Sequence, residues 1–336
     1  MFCERGYQGV IKQVAMKLRV GLLVTLLALV GSVACKRSHE PAATPAGSVG
    51  SAGSSGSAGS AAADPWAGAE PVKDPLPRPF LWSAEKDGRT TYLFGTMHVG
   101  VDAEARLPRL IWDKLDAAGA FAVETDVTDP AITRMGGRAG GTLHEELGPE
   151  YWKKLELAIT PQLAQALDSR SAMIPATLIA LRGLPMTQPM DSVLLTRARN
   201  RGKRIIFLEP AARQAAVLEK HLNAKALKLM LDELDKVEQQ SKQLLAAYIA
   251  GDEAAFKVIT EEQRQDALAH GYTAAEYDES IEDLLFRRNA SWIAPIEKLH
   301  AGSGGFIAVG AMHLLGPRSV LELLRQNGFQ ITRVAP

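Results

Sequence analysis

The sequence predicts an α/β fold with a central, mostly parallel sheet flanked by helices. Four short, β-rich segments each end abruptly in a polar group, at 91–94, 120–123, 204–208 and 305–309. Apolar runs of this length are typical of strands that are buried on both faces. Helical stretches at 107–118 and 191–201 precede the second and third segments. This alternation of helices and strands favours parallel pairing.

Polar side chains follow all four predicted strands. His98 and His313 each end a Gly-x-x-His motif after the first and last strands, and Glu124 and Glu209 follow the two strands between them. Ligands of open α/β sheets bind beyond the carboxyl ends of the strands. We therefore expect the four side chains at one edge of the sheet. The repeated Gly-x-x-His motif is a pseudo-repeat in which a strand delivers a polar side chain to this common edge.

The rest of the folded region is predicted to be mostly helical. Apolar residues recur at helical spacing with charged faces between them, which predicts an inserted helical cap at about 145–200 and 211–270. Near the end of the chain, residues 319–328 form a helical pattern that closes at Gly328, and 329–334 form a final strand.

Composition excludes several functions. The chain has 336 residues, with 38 Lys and Arg against 38 Asp and Glu, and two cysteines. A chain with balanced charge has no general basic field, so we expect no nucleic-acid partner. Two cysteines cannot form a disulfide scaffold. Peptides or small molecules are the better candidates for partners.

The N-terminal segment, 1–35, has the pattern of a bacterial signal peptide. Lys17 and Arg19 precede an uncharged apolar run at 20–34, and Met16 is the better start of this pattern. The run ends in Ser-Val-Ala-Cys, which resembles a lipobox and predicts lipidation of Cys35. Lys36 follows the cysteine in place of Asp, which favours an outer-membrane lipoprotein facing the periplasm. Ordinary cleavage to a soluble secreted or periplasmic protein, and an uncleaved membrane anchor, are the alternatives.

Residues 36–78 are predicted to be a disordered tether. They are rich in Ala, Gly, Ser and Pro, as in the stretch SVGSAGSSGSAGSAAA. Such a segment has too little apolar surface to order itself and would hold a domain away from a membrane. The folded domain is therefore predicted to span 79–336, which is long enough for a hydrophobic core.

Two histidines and a carboxylate at one edge of a sheet suggest two chemistries. His98, Glu124 and His313 would bind a divalent metal such as zinc and leave a position open for water. Without metal, a histidine and a glutamate would form an acid–base pair. The common signatures of zinc proteases, serine hydrolases and nucleotide-binding proteins are absent.

The remaining candidate residues have structural alternatives. Glu209 precedes Pro210 and would cap a helix if it has no role in the site. Arg288 or its neighbour Arg287 would bind an anion, although an ion pair with Glu279 or Asp283 at helical spacing explains Arg287 as well. The other candidate histidines are predicted to lie on the surface: His144, His221, His270 and His300.

Several motifs together resemble one known family. They are Leu81-Trp82, the run 92–100 around Gly95-Thr96-Met97-His98, Val123-Glu124-Thr125-Asp126, Leu208-Glu209-Pro210, Arg288-Asn289-x-x-Trp292 and Val309-Gly310-Ala311-Met312-His313-Leu314-x-Gly316. This set resembles the TraB/PrgY/GumN family, which includes the membrane-tethered Tiki proteases. The resemblance covers nearly all of 79–336.

The resemblance implies a fold related to erythromycin-esterase-like and haem-binding ChaN-like proteins, with a sheet of two pseudo-repeated halves flanked by helices. It also implies a metallopeptidase-like activity supported by divalent cations such as manganese or cobalt. Carried over by position, the metal ligands would be His98, Glu124 and His313, with Glu209, Arg288 and Asn289 as supporting catalytic residues. The Glu-Pro at 209–210 departs from the Glu-Thr of many members.

The function predicted from the sequence is that of a metal-dependent hydrolase of the cell envelope. Its substrate would be a peptide or protein, and its metal manganese, cobalt or zinc. Glu209 or Asp126 would accept a proton from the attacking water, and Arg288 would bind a substrate carboxylate or a developing oxyanion. The alternative is a non-catalytic protein that sequesters a peptide or haem with one of the histidines. A metal-free esterase is a third possibility.

Overall fold

A computed structural model describes residues 74–126, 129, 136–138 and 140–335 of the chain. The predicted signal peptide, Cys35 and nearly all of the predicted tether therefore lie outside the described residues. The first described residues already belong to the folded part. Leu76 is buried, and its N–H donates a hydrogen bond of 2.9 Å to the carbonyl of Arg106.

Six strands form one mixed sheet in the spatial order β4-β3-β5-β2-β1-β6. In chain order they are β1 (Leu81–Lys86), β2 (Arg89–Thr96), β3 (Ala120–Val123), β4 (Arg204–Phe207), β5 (Phe306–Gly310) and β6 (Gln330–Arg333). Pairs β3–β4, β3–β5 and β2–β5 are parallel, whereas β1 is antiparallel to both β2 and β6. The α/β class and the mostly parallel sheet are confirmed.

Register brings the carboxyl ends of the four parallel strands to the same edge. Thr96 pairs with Gly310 and Val123 with Ala308. The ladder between β3 and β4 continues past both strands, since the N–H of Glu209 donates to the carbonyl of Glu124 at 2.9 Å. We call this edge of the sheet the site edge.

Helices supply most of the remaining described structure. They are α1 (Ala103–Arg106), α2 (Arg109–Ala117), α3 (Leu143–Ile159), α4 (Pro161–Leu167), α5 (Met173–Ala180), α6 (Met190–Asn200), α7 (Ala211–His221), α8 (Ala224–Asp232), α9 (Leu234–Ala250), α10 (Glu253–Ala269), α11 (Ala274–Ile281), α12 (Arg287–Ser303) and α13 (Val320–Gln326). A π-helix, Glu282–Phe286, joins α11 to α12, and a 3₁₀ turn, Ala311–His313, follows β5.

Two hydrophobic clusters stabilise the fold. The larger surrounds the sheet, whose strands β3 and β5 are buried along their whole length. The smaller lies among α3, α4, α5, α7 and α8, with Trp152 and Leu227 among its buried members. None of the helices in the described ranges is long and apolar enough to cross a bilayer.

The sequence missed one strand and misplaced one histidine. Strand β1 pairs with β2 through a tight turn at Asp87-Gly88, both with positive φ, and Asp-Gly between strand-forming residues is a hairpin signal. The surface prediction for His300 is wrong. Its ring is buried between the hydroxyl of Thr91, 2.9 Å from Nδ1, and the carbonyl of Lys86, 3.0 Å from Nε2.

Candidate active site at the site edge of the sheet

The guanidinium of Arg288 is the centre of a buried polar cluster at the site edge. Its Nε donates to Glu209 Oε1 at 2.7 Å and its Nη2 to Glu124 Oε2 at 2.7 Å. The Nη1 group donates to the carbonyl of Leu284 at 2.9 Å and lies 3.1 Å from His313 Nε2. Because Leu284 belongs to the π-helix, that helix anchors the arginine. One cation therefore contacts two of the predicted glutamates and one predicted histidine.

Both carboxylate oxygens of Glu124 accept hydrogen bonds. Oε1 accepts from the N–H of Gly310 at 2.7 Å, and Oε2 accepts from Gln214 Nε2 at 3.0 Å as well as from Arg288. The side chain is 4% exposed. A buried carboxylate with three donors is held in one orientation, and the ionised form is the one that these donors favour.

Electrostatics keep Glu124 ionised. Burial by itself raises the pKa of its carboxyl, but attraction to His313 when protonated, to Arg288 and to His98, together with the Gly310 N–H, outweighs burial and lowers the pKa to about 2. Arg288 and Glu124 stabilise each other, and the carboxylates around Arg288 raise its pKa above the ordinary value despite burial.

The two carboxylate oxygens of Glu209, unlike those of Glu124, differ in their hydrogen bonding. Oε1 lies 2.6 Å from Arg288 Nη2, whereas Oε2 is buried and accepts no hydrogen bond from the residues that the structure describes. Arg213 Nε lies 4.0 Å from Oε2, beyond hydrogen-bond distance. Burial raises the pKa of the Glu209 carboxyl, and the negative charge of Glu124 adds to that effect against the attraction of Arg288.

His313 is fixed as a neutral imidazole. Its Nδ1 lies 2.6 Å from Asn289 Oδ1, an atom that can only accept, so Nδ1 carries the proton and Nε2 presents a lone pair. The ring packs against Trp292, with 4.5 Å between ring centres. Burial is the main reason that its pKa falls to about 3; Arg288 also lowers the pKa, and Glu124 opposes the change.

His98 has a carboxylate partner instead. Its Nδ1 lies 2.6 Å from Asp191 Oδ2, and the hydroxyl of Thr96 donates to Asp191 Oδ1 at 2.7 Å. Burial lowers the pKa of His98, but attraction and hydrogen bonding to Asp191, with a smaller contribution from Glu124, outweigh burial and raise the pKa to about 9. The side chain is 27% exposed, against 6% for His313.

Three of these groups face one small space over Gly310. A Cβ atom built at Gly310 would lie 3.3 Å from Glu124 Oε1, 3.4 Å from His98 Nε2 and 3.7 Å from His313 Cδ2. The glycine has φ −51°, which any residue can adopt, so backbone conformation does not require glycine here. Its lack of a side chain leaves the space open between the three groups.

The donor set at this space fits a divalent metal in its chemistry. Two imidazoles and a carboxylate are common metal ligands, and each imidazole has Nδ1 held by a side-chain oxygen, so that Nε2 is directed away from that partner. Within the ranges that the structure describes, no three His, Cys, Asp or Glu side chains are yet close enough to share an ion. His313 Nε2 and Glu124 Oε1 are 3.8 Å apart, and a metal at His313 would have to replace Arg288 as the partner of Nε2.

The sequence-predicted residues thus come together at one edge. His98, Glu124, Glu209 and His313 lie at the ends of β2, β3, β4 and β5, and Arg288 and Asn289 reach them from α12. Arg287 instead forms an ion pair with Asp283, as the structural alternative expected. Asp126 forms an ion pair with Arg199 on α6, at 3.7 Å.

Two residues of the site escaped the sequence analysis. Asp191, in the first turn of α6, is 3% exposed and orients His98. Gln214, in α7, is 4% exposed and orients Glu124, while its own Oε1 accepts no hydrogen bond within the described part of the chain. An acidic residue in the first turn of a helix is ordinarily explained by the helix dipole. The sequence offered one signal for Gln214: it lies one helical turn after the Glu-Pro that opens α7 and so comes close to the strand end that carries Glu209.

The fold and the site define a class: an α/β protein with a buried His, Glu and Arg cluster at the carboxyl edge of a parallel sheet. The chain belongs to the TraB/PrgY/gumN family, whose family model matches residues 80–333. This confirms the resemblance seen in the motifs.

Two curated relatives extend the comparison. The uncharacterized protein YbaP of Shigella flexneri is 30% identical over 247 residues, which are 70% of this chain and 88% of that protein. The uncharacterized protein YbaP of Escherichia coli (strain K12) matches with the same identity and coverage. No solved structure matches the chain.

Proposed function

We propose that this chain is a metal-dependent hydrolase that cleaves peptides. The observation that supports the proposal is the space over Gly310, where His98 Nε2 and Glu124 Oε1 lie 3.4 and 3.3 Å from a single point and His313 is next to them. These three side chains follow three neighbouring parallel strands, so the sheet itself sets their separation. Nitrogen and oxygen donors of this kind suit manganese, cobalt or zinc.

Positioning of the ligands is the task of Asp191 and Asn289. Asp191 holds His98 through Nδ1, and Asn289 holds His313 through Nδ1. The amide of Asn289 is itself fixed, because its Nδ2 donates to the carbonyl of Arg318 at 3.0 Å. Partners of this kind fix the tautomer and the ring orientation of metal-binding histidines.

In this proposal Arg288 stabilises negative charge and Glu209 accepts a proton. When bound, a divalent ion supplies Lewis acidity toward the scissile carbonyl and the attacking water. Arg288 is a fixed cation that would stabilise negative charge as it develops on the substrate. Glu209 Oε2 is buried and has no donor among the described residues, and it would take the proton from the attacking water.

The finer features of the fold belong to the same proposal. We take β2 and β5, which carry the two Gly-x-x-His motifs, as equivalent strands of two related halves; their parallel pairing side by side supports this. We take α3, α4, α5, α7 and α8, which share the smaller hydrophobic cluster, as a helical cap on the sheet domain. The predicted cap at 145–200 and 211–270 also included α6, α9 and α10, which instead contribute buried residues to the larger cluster around the sheet.

A metal and activity assay tests the function. The purified chain is expected to bind close to one equivalent of manganese, cobalt or zinc and to cleave members of a peptide library, and chelator should stop both. His98→Ala should abolish both effects. His270→Ala is the matched control, because His270 is an exposed histidine at the end of α10. Metal-independent cleavage that survives His98→Ala would contradict the proposal.

A non-catalytic binding protein remains the second candidate, and the exposure of His98 favours it. With a side chain 27% exposed, His98 is the histidine of the pair that haem iron or a peptide could reach without rearrangement. Haem titration would then produce a Soret band that His98→Ala removes. A band of that kind, with no cleavage of any peptide, would replace the hydrolase proposal.

We further propose that the domain faces the periplasm on a lipid anchor at Cys35, joined by a tether that begins at 36 and ends before the folded residues at 74, a few residues earlier than the predicted end at 78. The evidence is the lipobox-like Ser-Val-Ala-Cys after the apolar run. Globomycin should cause precursor to accumulate, and Cys35→Ser should release the protein from the membrane fraction. Processing that is insensitive to globomycin would favour ordinary signal cleavage and a soluble protein.

A further inference from the structure

A surface groove of about 540 Å³ runs along helix α6. One wall is the outer face of that helix, and the opposite side comes from α1 and α2. Its lining residues are Glu104, Trp112, Gln188, Val193, Thr196, Arg197, Asn200 and Arg201. Cavities of this size are large enough for a small ligand or a few residues of peptide.

One end of the groove adjoins the site edge. Gln188, which lines that end, is two residues before Met190, whose N–H donates to the carbonyl of His98 at 3.2 Å. The next residue, Asp191, bonds the His98 ring. Val193, Thr196 and Asn200 lie on the face of α6 opposite Asp191, so a chain that passes His98 would enter the groove around the amino end of the helix, at Gln188.

The other end of the groove is basic and has an aromatic wall. Arg201 is 56% exposed there, and its Nη2 lies 3.0 Å from Asp116 Oδ2. The same carboxylate also takes two hydrogen bonds from Arg197, whose guanidinium lies 4.9 Å from the ring centre of Trp112. Lys203 adds a third cation, bonded to the backbone carbonyl of Asp116. One carboxylate thus serves two arginines, which leaves local positive charge available to a ligand.

We propose that this groove binds the extended segment of a polypeptide substrate and that Arg201 recognises an acidic side chain or a terminal carboxylate on it. The proposal names the substrate class of the proposed hydrolase and rests on that function. From Asp191 to Arg201 the helix advances about 15 Å, at about 1.5 Å per residue. An extended peptide covers that distance in about four or five residues, at about 3.3–3.6 Å each.

The shape and charge of the groove favour a peptide over other anionic partners. Trp112 offers a flat apolar surface for a side chain, and Thr196 and Asn200 offer polar groups along the helix for a peptide backbone. A single basic end is what one carboxylate needs. A membrane surface would instead need several cations on an exposed face.

The test compares peptides that differ in one carboxylate. Ten-residue peptides carry a single Glu at a scanned position, and matched peptides carry Gln there. Binding to the full-length chain, purified in detergent, is measured by isothermal titration calorimetry in chelator, so that the readout does not depend on metal or cleavage. The best Glu peptide is expected to bind roughly threefold to tenfold more tightly than its Gln partner at low salt.

Two variants make the comparison specific. Arg201→Ala should bring the Glu and Gln peptides within twofold of each other. Arg199→Ala is the matched control, because Arg199 lies two residues away on the same helix and is 42% exposed but does not line the groove. That variant should retain the full preference. Equal loss in both variants would show a general charge effect and overturn the proposal.

Further outcomes separate this proposal from the proposed function. In cleavage assays with metal, the scissile bond should lie at least about four or five residues from the Glu, because the chain also passes around the amino end of α6. Arg201-dependent binding without any cleavage would support the groove and count against the hydrolase. Cleavage with no preference for Glu would support the hydrolase and overturn the groove. Arg201-dependent binding to vesicles of anionic lipid, without a peptide preference, would overturn the groove in favour of a membrane contact.

Discussion

His98 and His313 stand in the same Gly-x-x-His motif on neighbouring parallel strands, yet their surroundings are opposite. His98 is 27% exposed and bonds a carboxylate, and its pKa is raised to about 9. His313 is 6% exposed and bonds an amide, and its pKa is lowered to about 3. The motif delivers an imidazole to the edge, and residues from distant helices decide its protonation. The His98 ring can therefore donate a proton, whereas the His313 ring can offer a lone pair.

The largest effect is expected from the removal of Arg288, the cation that contacts His313 and has no counterpart at His98. Arg288→Met leaves the buried Glu124 and Glu209 without their common partner. Loss of one member of a buried ion pair typically destabilises a protein by about 3–5 kcal/mol. We expect that loss in urea denaturation near neutral pH. Arg287→Met, at the neighbouring arginine whose side chain is 56% exposed, should cost much less, because exposed ion pairs contribute little. Equal losses would contradict the central role of Arg288.

The second largest effect is expected from alanine substitutions at Gly95 and Gly310, the glycines of the two Gly-x-x-His motifs, and the two variants should differ in what they lose. A Cβ at Gly95 would lie 3.0 Å from the Cα of Ala311 and 3.1 Å from Phe80 Cβ, so Gly95→Ala should cost about 1–3 kcal/mol in unfolding free energy. Gly310→Ala places a methyl group against Glu124 Oε1 and His98 Nε2 instead. It should change stability less and abolish metal binding. Denaturation and metal titration of both variants test this pair, and a silent Gly95→Ala would be the contrary result.

Stability should depend on pH with opposite signs for the two rings. For His98 the native pKa is raised from 6.5 to about 9, so its stabilising contribution is complete below about 6.5 and lost as pH rises through about 9. For His313 the native pKa is lowered from 6.5 to about 3, so stability falls as pH drops from about 6.5 toward 3.

Variants assign each part of that pH profile. Asp191→Asn removes the charge that raises the pKa of His98 and should flatten the alkaline part of the stability curve. His313→Gln should flatten the acid part. Urea denaturation of the metal-free protein across pH gives the curve, and histidine titrations followed by NMR give the two pKa values directly. An unchanged alkaline part in Asp191→Asn would show that another group produces it.

The smallest expected effect concerns the second partner of Asp191. Thr96→Val keeps the shape of the side chain but removes the hydroxyl that donates 2.7 Å to Asp191 Oδ1. A single buried hydrogen bond of this kind contributes about 1 kcal/mol. We expect that loss in urea denaturation, with the His98 ring still paired to Asp191. Thr90→Val, at a residue on the same strand that is half-buried and has no side-chain hydrogen bond in the described part of the chain, is the control.

The sequence predicted the sheet well because its central strands are continuous apolar runs with abrupt polar ends. Those ends also located His98, Glu124, Glu209 and His313, since parallel strands bring their carboxyl ends to one edge. Strand β1 was missed because its sequence, LWSAEK, is only partly apolar, as suits a strand near the antiparallel side of the sheet.

Partners from helices were harder to predict. Asp191 and Gln214 reach the site from the first turns of α6 and α7, where polar residues are common for local reasons. Their contacts depend on how each helix packs against the sheet, and helical periodicity does not contain that information. His300 was misplaced for the same reason, because the strand residues that bury it are distant in the sequence.

The π-helix ahead of Arg288 makes the site sensitive to chain length. Asp283, the second residue of the π-helix, contacts Lys220 and His221 at 2.6 and 2.9 Å, and Arg288, in the first turn of α12, contacts the glutamates. Deleting one residue between Asp283 and Arg288 would restore ordinary α-helical spacing. It would also rotate these two residues relative to each other by about 100° around the helix axis. The two sets of contacts could not then both be satisfied. Loss or gain of one residue in this turn would therefore disassemble the site in a protein that still folds, and it would do so more surely than most substitutions.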